Sequence, residues 1–125
     1  MSSAVQPKEF LRGIRVLVVE DEEMIALALE DMLTDIGCEI VGPAFCLADA
    51  IRLASASSMD GGILDINLAG EKVYPVADIL SARKIPFVFV TGYGVAGVRD
   101  SDRDKPVLQK PYRAARLTEI IKQWR

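Results

Sequence analysis

The residues able to do chemistry in this chain are carboxylates, one threonine and one lysine. Glu20-Asp21-Glu22-Glu23 form an acidic run, Asp65 stands alone in an apolar stretch, Thr91 follows Phe-Val-Phe-Val, and Lys110 precedes Pro111. The chain has no histidine, which excludes Ser-His and Cys-His nucleophilic catalysis. Its two cysteines, Cys38 and Cys46, make neither a disulfide framework nor, without histidine, a zinc site. Oxygen donors alone favour a hard cation such as Mg²⁺. A carboxylate beside such an ion can act as a nucleophile toward phosphorus and form an acyl phosphate. A lysine and a hydroxyl would then meet the remaining phosphoryl oxygens.

Each residue also has a plain structural explanation. Acids after a strand often just open a helix, where the helix dipole favours them, and that reading is preferred for Glu22 and Glu23. Asp65 could cap a loop, the Thr91 hydroxyl could be satisfied locally, and Lys110 could be solvated. The case for a site therefore rests on whether the fold brings these groups together.

Apolar runs of strand length occur at 14–19, 39–42, 62–64 and 86–90, with a short one at 106–109. Helical spacing follows four of them. Ile25, Leu29, Met32, Leu33 and Ile36 precede a stop at Gly37. Leu47, Ala50, Ile51 and Ala54 form a second stripe, and Val73, Val76, Ala77 and Leu80 a third. Leu117, Ile120, Ile121 and Trp124 form the last. The fourth connection, 92–105, holds three glycines and then a charged stretch. It predicts a short or frayed helix, or a loop. Strands alternating with helices predict an α/β domain, a parallel sheet with helices on both faces.

In such a sheet, ligands bind beyond the carboxyl ends of the strands. Four of the five strands run into Glu20-Asp21, Asp65, Thr91 and Lys110. Two like charges about 4 Å apart repel by roughly 4 kcal/mol at an effective dielectric near 20. Glu20, Asp21 and Asp65 in one corner therefore call for a raised pKa, the Lys110 amine or a bound cation.

The 125 residues suffice for one domain with its own core. Half are hydrophobic and 26% charged, a globular balance. The net charge of −3 argues against nucleic acid as a partner. No apolar run approaches a membrane span, and the first residues lack a secretory signal, so the sequence predicts a reduced, cytoplasmic protein.

Four segments carry a family resemblance: Val-Val-Glu-Asp-Glu at 18–22, Leu-Asp-Ile-Asn-Leu at 64–68, Val-Thr-Gly at 90–92 and Gln-Lys-Pro-Tyr at 109–112. In this order, each on its strand end, they make residues 14–124 resemble the receiver domain of two-component response regulators. The resemblance implies a flavodoxin-like three-layer sandwich with a five-stranded parallel sheet in the order 2-1-3-4-5. It implies a receiver domain over 14–125 behind an N-terminal extension, 1–13. Asp65 would be the phosphoacceptor, with Thr91 the switch hydroxyl and Lys110 the phosphoryl-pairing amine. Mg²⁺ would be held by Glu20, Asp21, Asp65 and the main-chain carbonyl of Asn67. A cis peptide is implied at Lys110–Pro111.

The implied function is a stand-alone signalling protein, not an enzyme. It would take a phosphoryl group from a sensor histidine kinase or phosphotransfer protein and act on a downstream protein target, without nucleic acid or membrane. The alternative is a degenerate receiver that binds proteins independently of phosphorylation. An aspartate-nucleophile phosphatase would need a second acid where Asn67 stands. A flavin carrier would need a hydroxyl- and glycine-rich loop where the four acids stand.

Two features depart from the general pattern. Val107 occupies the place, three residues before the lysine, where receivers often carry a switching Tyr or Phe. Pro-Phe-Val-Phe-Val-Thr-Gly-Tyr-Gly at 86–94 is similar to the motif of the FATGUY response regulators, with Val90 for alanine and Gly94 for an aromatic. In the family, the side chains at the Asn67 and Tyr93 positions tune the lifetime of the acyl phosphate. The glycines after Thr91 lower the cost of rearranging the fourth connection, so the sequence predicts that this segment reorders on phosphorylation.

Overall fold

A computed structural model describes residues 11–92 and 97–125. Five strands form one parallel sheet: β1 (Arg15–Val19), β2 (Glu39–Ala44), β3 (Gly61–Asp65), β6 (Phe87–Thr91) and β7 (Val107–Gln109), in the order β2-β1-β3-β6-β7. Counted among sheet strands alone, this is the expected 2-1-3-4-5. The helices are α1 (Glu23–Asp35), α2 (Leu47–Ala56), α3 (Tyr74–Ala82) and α4 (Ala114–Lys122). Two further two-residue strands, β4 (Asn67–Leu68) and β5 (Glu71–Lys72), make a small antiparallel hairpin.

Side chains alternate across the sheet and build two cores. Val16 and Val18 of β1, with Ile63, Val88 and Val90, pack against Leu29 and Leu33 of α1 and Leu117 and Ile121 of α4. Leu17, Val19, Leu64 and Phe89 face the other way, onto Ala50 and Ala54 of α2 and Val76, Ala77 and Leu80 of α3. Three layers result. Leu11 packs in the first core at 2% exposure, and its N–H donates to the Ile36 carbonyl at 2.8 Å.

Local chemistry explains the boundaries. Gly37 closes α1 at φ 101°, where its N–H meets the Thr34 carbonyl and the next N–H, of Cys38, meets Leu33. In β2 the register slips between Val41, opposite Leu17, and Ala44, opposite Val19. The strand thus continues beyond the glycine that was expected to end it. Gly42 sits in that bulge at φ 101°, where a Cβ would lie 2.8 Å from the Ala44 nitrogen. Ile25 of the expected α1 stripe stays exposed at 37%, while the neighbouring Ala26 takes the fully buried position.

The fourth connection has no α-helix among the described residues and carries a 3-10 turn, Asp100–Asp102. Val98 is buried, as its apolar character required. Tyr93, Gly94, Val95 and Ala96 lie outside the described residues, as do residues 1–10. No helix among the described residues is long and apolar enough to cross a membrane. Burial pushes the Cys38 thiol up to about 11, which keeps it protonated.

Candidate metal and phosphoryl site

The sheet's carboxyl edge assembles the site. Glu20 is the first residue after β1, Asp65 and Thr91 are the last residues of β3 and β6, and Lys110 is the first after β7. β1 and β3 are neighbours, with Val19 opposite Leu64, so Glu20 and Asp65 end on adjacent strands at one level. The next pairs place Val90 opposite Asp65 and Thr91 opposite Gln109. The Lys110 N–H donates to the Thr91 carbonyl at 2.8 Å, extending the sheet into the site.

Three carboxylates meet there. One oxygen each from Glu20, Asp21 and Asp65 lies within 4.8 Å of the others. Glu20 and Asp65 are 3% and 7% exposed, and Asp21 is half-buried. The Lys110 ammonium donates to Asp65 Oδ2 at 2.8 Å and to Glu20 Oε1 at 3.2 Å. Main-chain N–H groups hold the carboxylates from the other side. Glu22 donates to Glu20 Oε2 at 3.1 Å, Asn67 to Asp65 Oδ1 at 3.1 Å, and Ala69 to Asp21 Oδ2 at 3.0 Å.

The hairpin explains the orientation of Asn67. The Val73 N–H donates to the Ile66 carbonyl at 2.9 Å, so that pair is hydrogen-bonded. Antiparallel pairs alternate, and the next pair, Asn67 with Lys72, is therefore not. The N–H and C=O of Asn67 face away from β5, on the side where the N–H finds Asp65.

One ammonium does not neutralise three carboxylates. Burial pushes the Glu20 carboxyl up, and the Asp65 charge adds to it. The Glu22 N–H and Lys110 pull the other way, and the balance lies at about 7. Burial alone would lower the Lys110 ammonium, but its bond to Asp65 and the charges of Asp65 and Glu20 hold it above the ordinary lysine value. Burial also raises the neighbouring Tyr112 phenol. A second charged cluster borders the fourth connection. The Arg99 guanidinium bonds to Asp78 of α3 and to Asp102, and it stacks over the Tyr74 ring at 4.6 Å. The Tyr74 hydroxyl donates to the Gly97 carbonyl at 2.8 Å.

Neither the hairpin nor the Arg99 cluster was visible in the sequence patterns. Two-residue strands show no periodicity. The 3-residue spacing of Arg99 and Asp102 was a usable signal inside a stretch that otherwise reads as solvated. A cavity of about 810 Å³, lined by Phe87, Lys105, Ile120 and Trp124, is at the opposite edge of the sheet and holds none of these groups. A groove of about 550 Å³ does border the site, between α1 and the loop after β7, lined by Ile25, Leu29, Met32, Lys110, Pro111 and Tyr112. The Lys110–Pro111 peptide is cis, as the resemblance implied, and so is Gly42–Pro43.

A five-stranded parallel sheet with an acidic corner at its carboxyl edge is the architecture of a known class of signalling domains. No protein-family model matches the chain. SdrG from Sphingomonas melonis is 39% identical, with a TM-score of 0.71, and the match covers 90% of this chain and 96% of that one. The receiver domain of the sensor histidine kinase PA1611 from Pseudomonas aeruginosa was crystallised with a magnesium ion coordinated in its active-site cleft. It has a TM-score of 0.75 at 25% identity, over 90% of this chain and 97% of that one. The phyllosphere-induced regulator PhyR of Methylorubrum extorquens is 32% identical over 113 residues, which are 86% of this chain and 42% of that protein.

The chain belongs to the receiver-domain family of response regulators, with the flavodoxin-like fold of that family. It spans about half the length of the curated relatives that it matches. Receiver domains are signalling proteins rather than classical enzymes.

Proposed function

We propose that this chain is a cytoplasmic phospho-receiver that accepts a phosphoryl group on Asp65 and signals through protein contacts. The observation that carries this reading is the convergence of three carboxylates within 4.8 Å, two of them bonded to one lysine. Glu20, Asp21, Asp65 and the carbonyl of Asn67 would hold Mg²⁺. The donor set is all oxygen, its charge exceeds what Lys110 offsets, and the non-bonded Asn67–Lys72 pair leaves the Asn67 carbonyl free of β5. When bound, the ion would neutralise the transferred oxygens.

The donor is the phosphohistidine of a sensor histidine kinase or phosphotransfer protein. An Asp65 carboxylate oxygen attacks phosphorus, the P–O bond forms, and the P–N bond breaks. The imidazole leaves neutral if its other nitrogen carried a proton. Lys110 passes from the Asp65 carboxylate to a phosphoryl oxygen, and Thr91, at the end of the neighbouring strand, supplies a hydroxyl. The groove between α1 and the loop after β7 is lined in part by Lys110, which is bonded to Asp65. The apolar groove there, with exposed Met24 and Leu27 on α1, supports contact with the donor on that face. A downstream protein target reads the phosphorylated state.

The intact set of Glu20, Asp21, Asp65, Thr91 and Lys110 favours this reading over a phosphorylation-independent binding module. Incubation with acetyl phosphate and Mg²⁺, followed by intact mass, tests it. One phosphoryl adduct that disappears with EDTA is expected. An unmodified mass would leave the binding-module reading.

A further inference from the structure

We propose that the β4–β5 hairpin is a positioning element for Asp21, acting through the main-chain N–H of Ala69. The inference rests on reading the acidic corner as a divalent-cation site, and it adds how one ligand of that site is held.

The three carboxylates are anchored unequally. Glu20 and Asp65 are buried, and each is held by Lys110 and by the N–H two residues on. Asp21 is half-buried on the loop between β1 and α1. Among the described residues, the bond that holds it comes from Ala69, 48 residues away. That N–H points at Asp21 because of the turn. Ala69 and Gly70 are the two loop residues between β4 and β5, at φ 51° and 93°. Both in the left-handed region make a type I′ turn, the kind that joins two twisted strands by two residues.

Ala69 adopts this conformation although it carries a Cβ, which an ordinary loop would avoid. The Asn67 side-chain oxygen accepts the Gly70 N–H at 3.2 Å and closes the turn from inside. The Asn67 N–H is meanwhile fixed on Asp65. The hairpin therefore ties Asp21 and Asp65 to one rigid unit and fixes the spacing between them. Outer partners of this kind set the affinity of a metal site as its ligands do.

Gly70 provides a test free of side-chain clashes. A Cβ built there meets nothing within 4 Å, so a substitution acts chiefly through the backbone. Gly70→Val disfavours positive φ strongly, whereas Gly70→Asn tolerates it. Mg²⁺ binding by calorimetry should weaken at least about tenfold in Gly70→Val, and Gly70→Asn should stay near wild type.

A second readout works on metal-free protein. The Ala69 amide should resonate downfield and exchange slowly in wild type. It should lose both properties in Gly70→Val and in Asp21→Ala, which removes the acceptor oxygen. If Gly70→Val fails to fold, the Asp21→Ala spectrum decides alone. An Ala69 amide indifferent to Asp21→Ala overturns the inference, as does Gly70→Val binding Mg²⁺ as wild type does. A hairpin that serves only stability would lower Tm and leave both readouts unmoved. If wild-type protein binds no Mg²⁺, the cation-site reading falls, while the amide measurement still tests the link between hairpin and Asp21.

Discussion

The corner around Asp65 and the cluster around Arg99 both bury carboxylates, and they resolve the cost differently. In the Arg99 cluster the cation lies between its acids. Asp102 is 3% exposed and bonded to the guanidinium, Asp78 takes another nitrogen, and the Tyr74 face covers the plane. The bonds to Asp78 and Asp102 raise the pKa of Arg99 above its ordinary value, so the charge there is fixed at any working pH. In the acidic corner, one ammonium serves three carboxylates and Glu20 is pushed up to about 7. A buried cluster that closes on itself holds structure together. One that leaves charge unmet has a use for charge from outside, which the proposed cation and phosphoryl group would supply.

The two regions should separate most clearly at Asp65. Asp65→Asn should abolish labelling by acetyl phosphate while the far-UV spectrum and Tm stay native or rise, because one like charge is gone. Arg99→Ala should do the reverse. It strands the buried Asp102 carboxylate and should cost about 2–3 kcal/mol of folding stability in urea titrations, with Mg²⁺ affinity unchanged. If Arg99→Ala weakened Mg²⁺ binding instead, the two regions would not be separable.

A smaller effect concerns pH. Glu20 must lose its proton to bind a cation, so apparent Mg²⁺ affinity should rise about tenfold from pH 6 to pH 8 and level off above. Glu20→Gln should flatten that profile. The folded pKa of Glu20 lies above its ordinary value of 4.5. Its proton therefore stabilises metal-free protein fully below pH 4.5, and that contribution is lost as pH rises through about 7. Urea midpoints in EDTA should fall across this window, and added Mg²⁺ should reduce the fall.

Much of this was legible beforehand. Val18–Val19, Ile63–Leu64 and Phe87–Val90 are apolar runs that only a sheet covered on both faces accommodates. The polar residue ending each run then had to share one edge. The hairpin was not legible, because Asn67–Leu68 and Glu71–Lys72 are too short to show a period. The Arg99 cluster depends on α3 delivering Asp78 beside a loop, which no local pattern encodes. The pKa of Glu20 follows from burial and from the neighbouring Asp65, both set by the tertiary fold.

In the proposed reading the Asp65 carboxylate itself carries phosphorus. Borohydride reduces an acyl phosphate to the alcohol, so treating the acetyl phosphate-labelled protein and mapping its peptides reads the position directly. Homoserine at position 65, formed only when Mg²⁺ was present during labelling, is the predicted result. Reduction at another residue, or none at all in protein that has taken up phosphoryl groups, would contradict it.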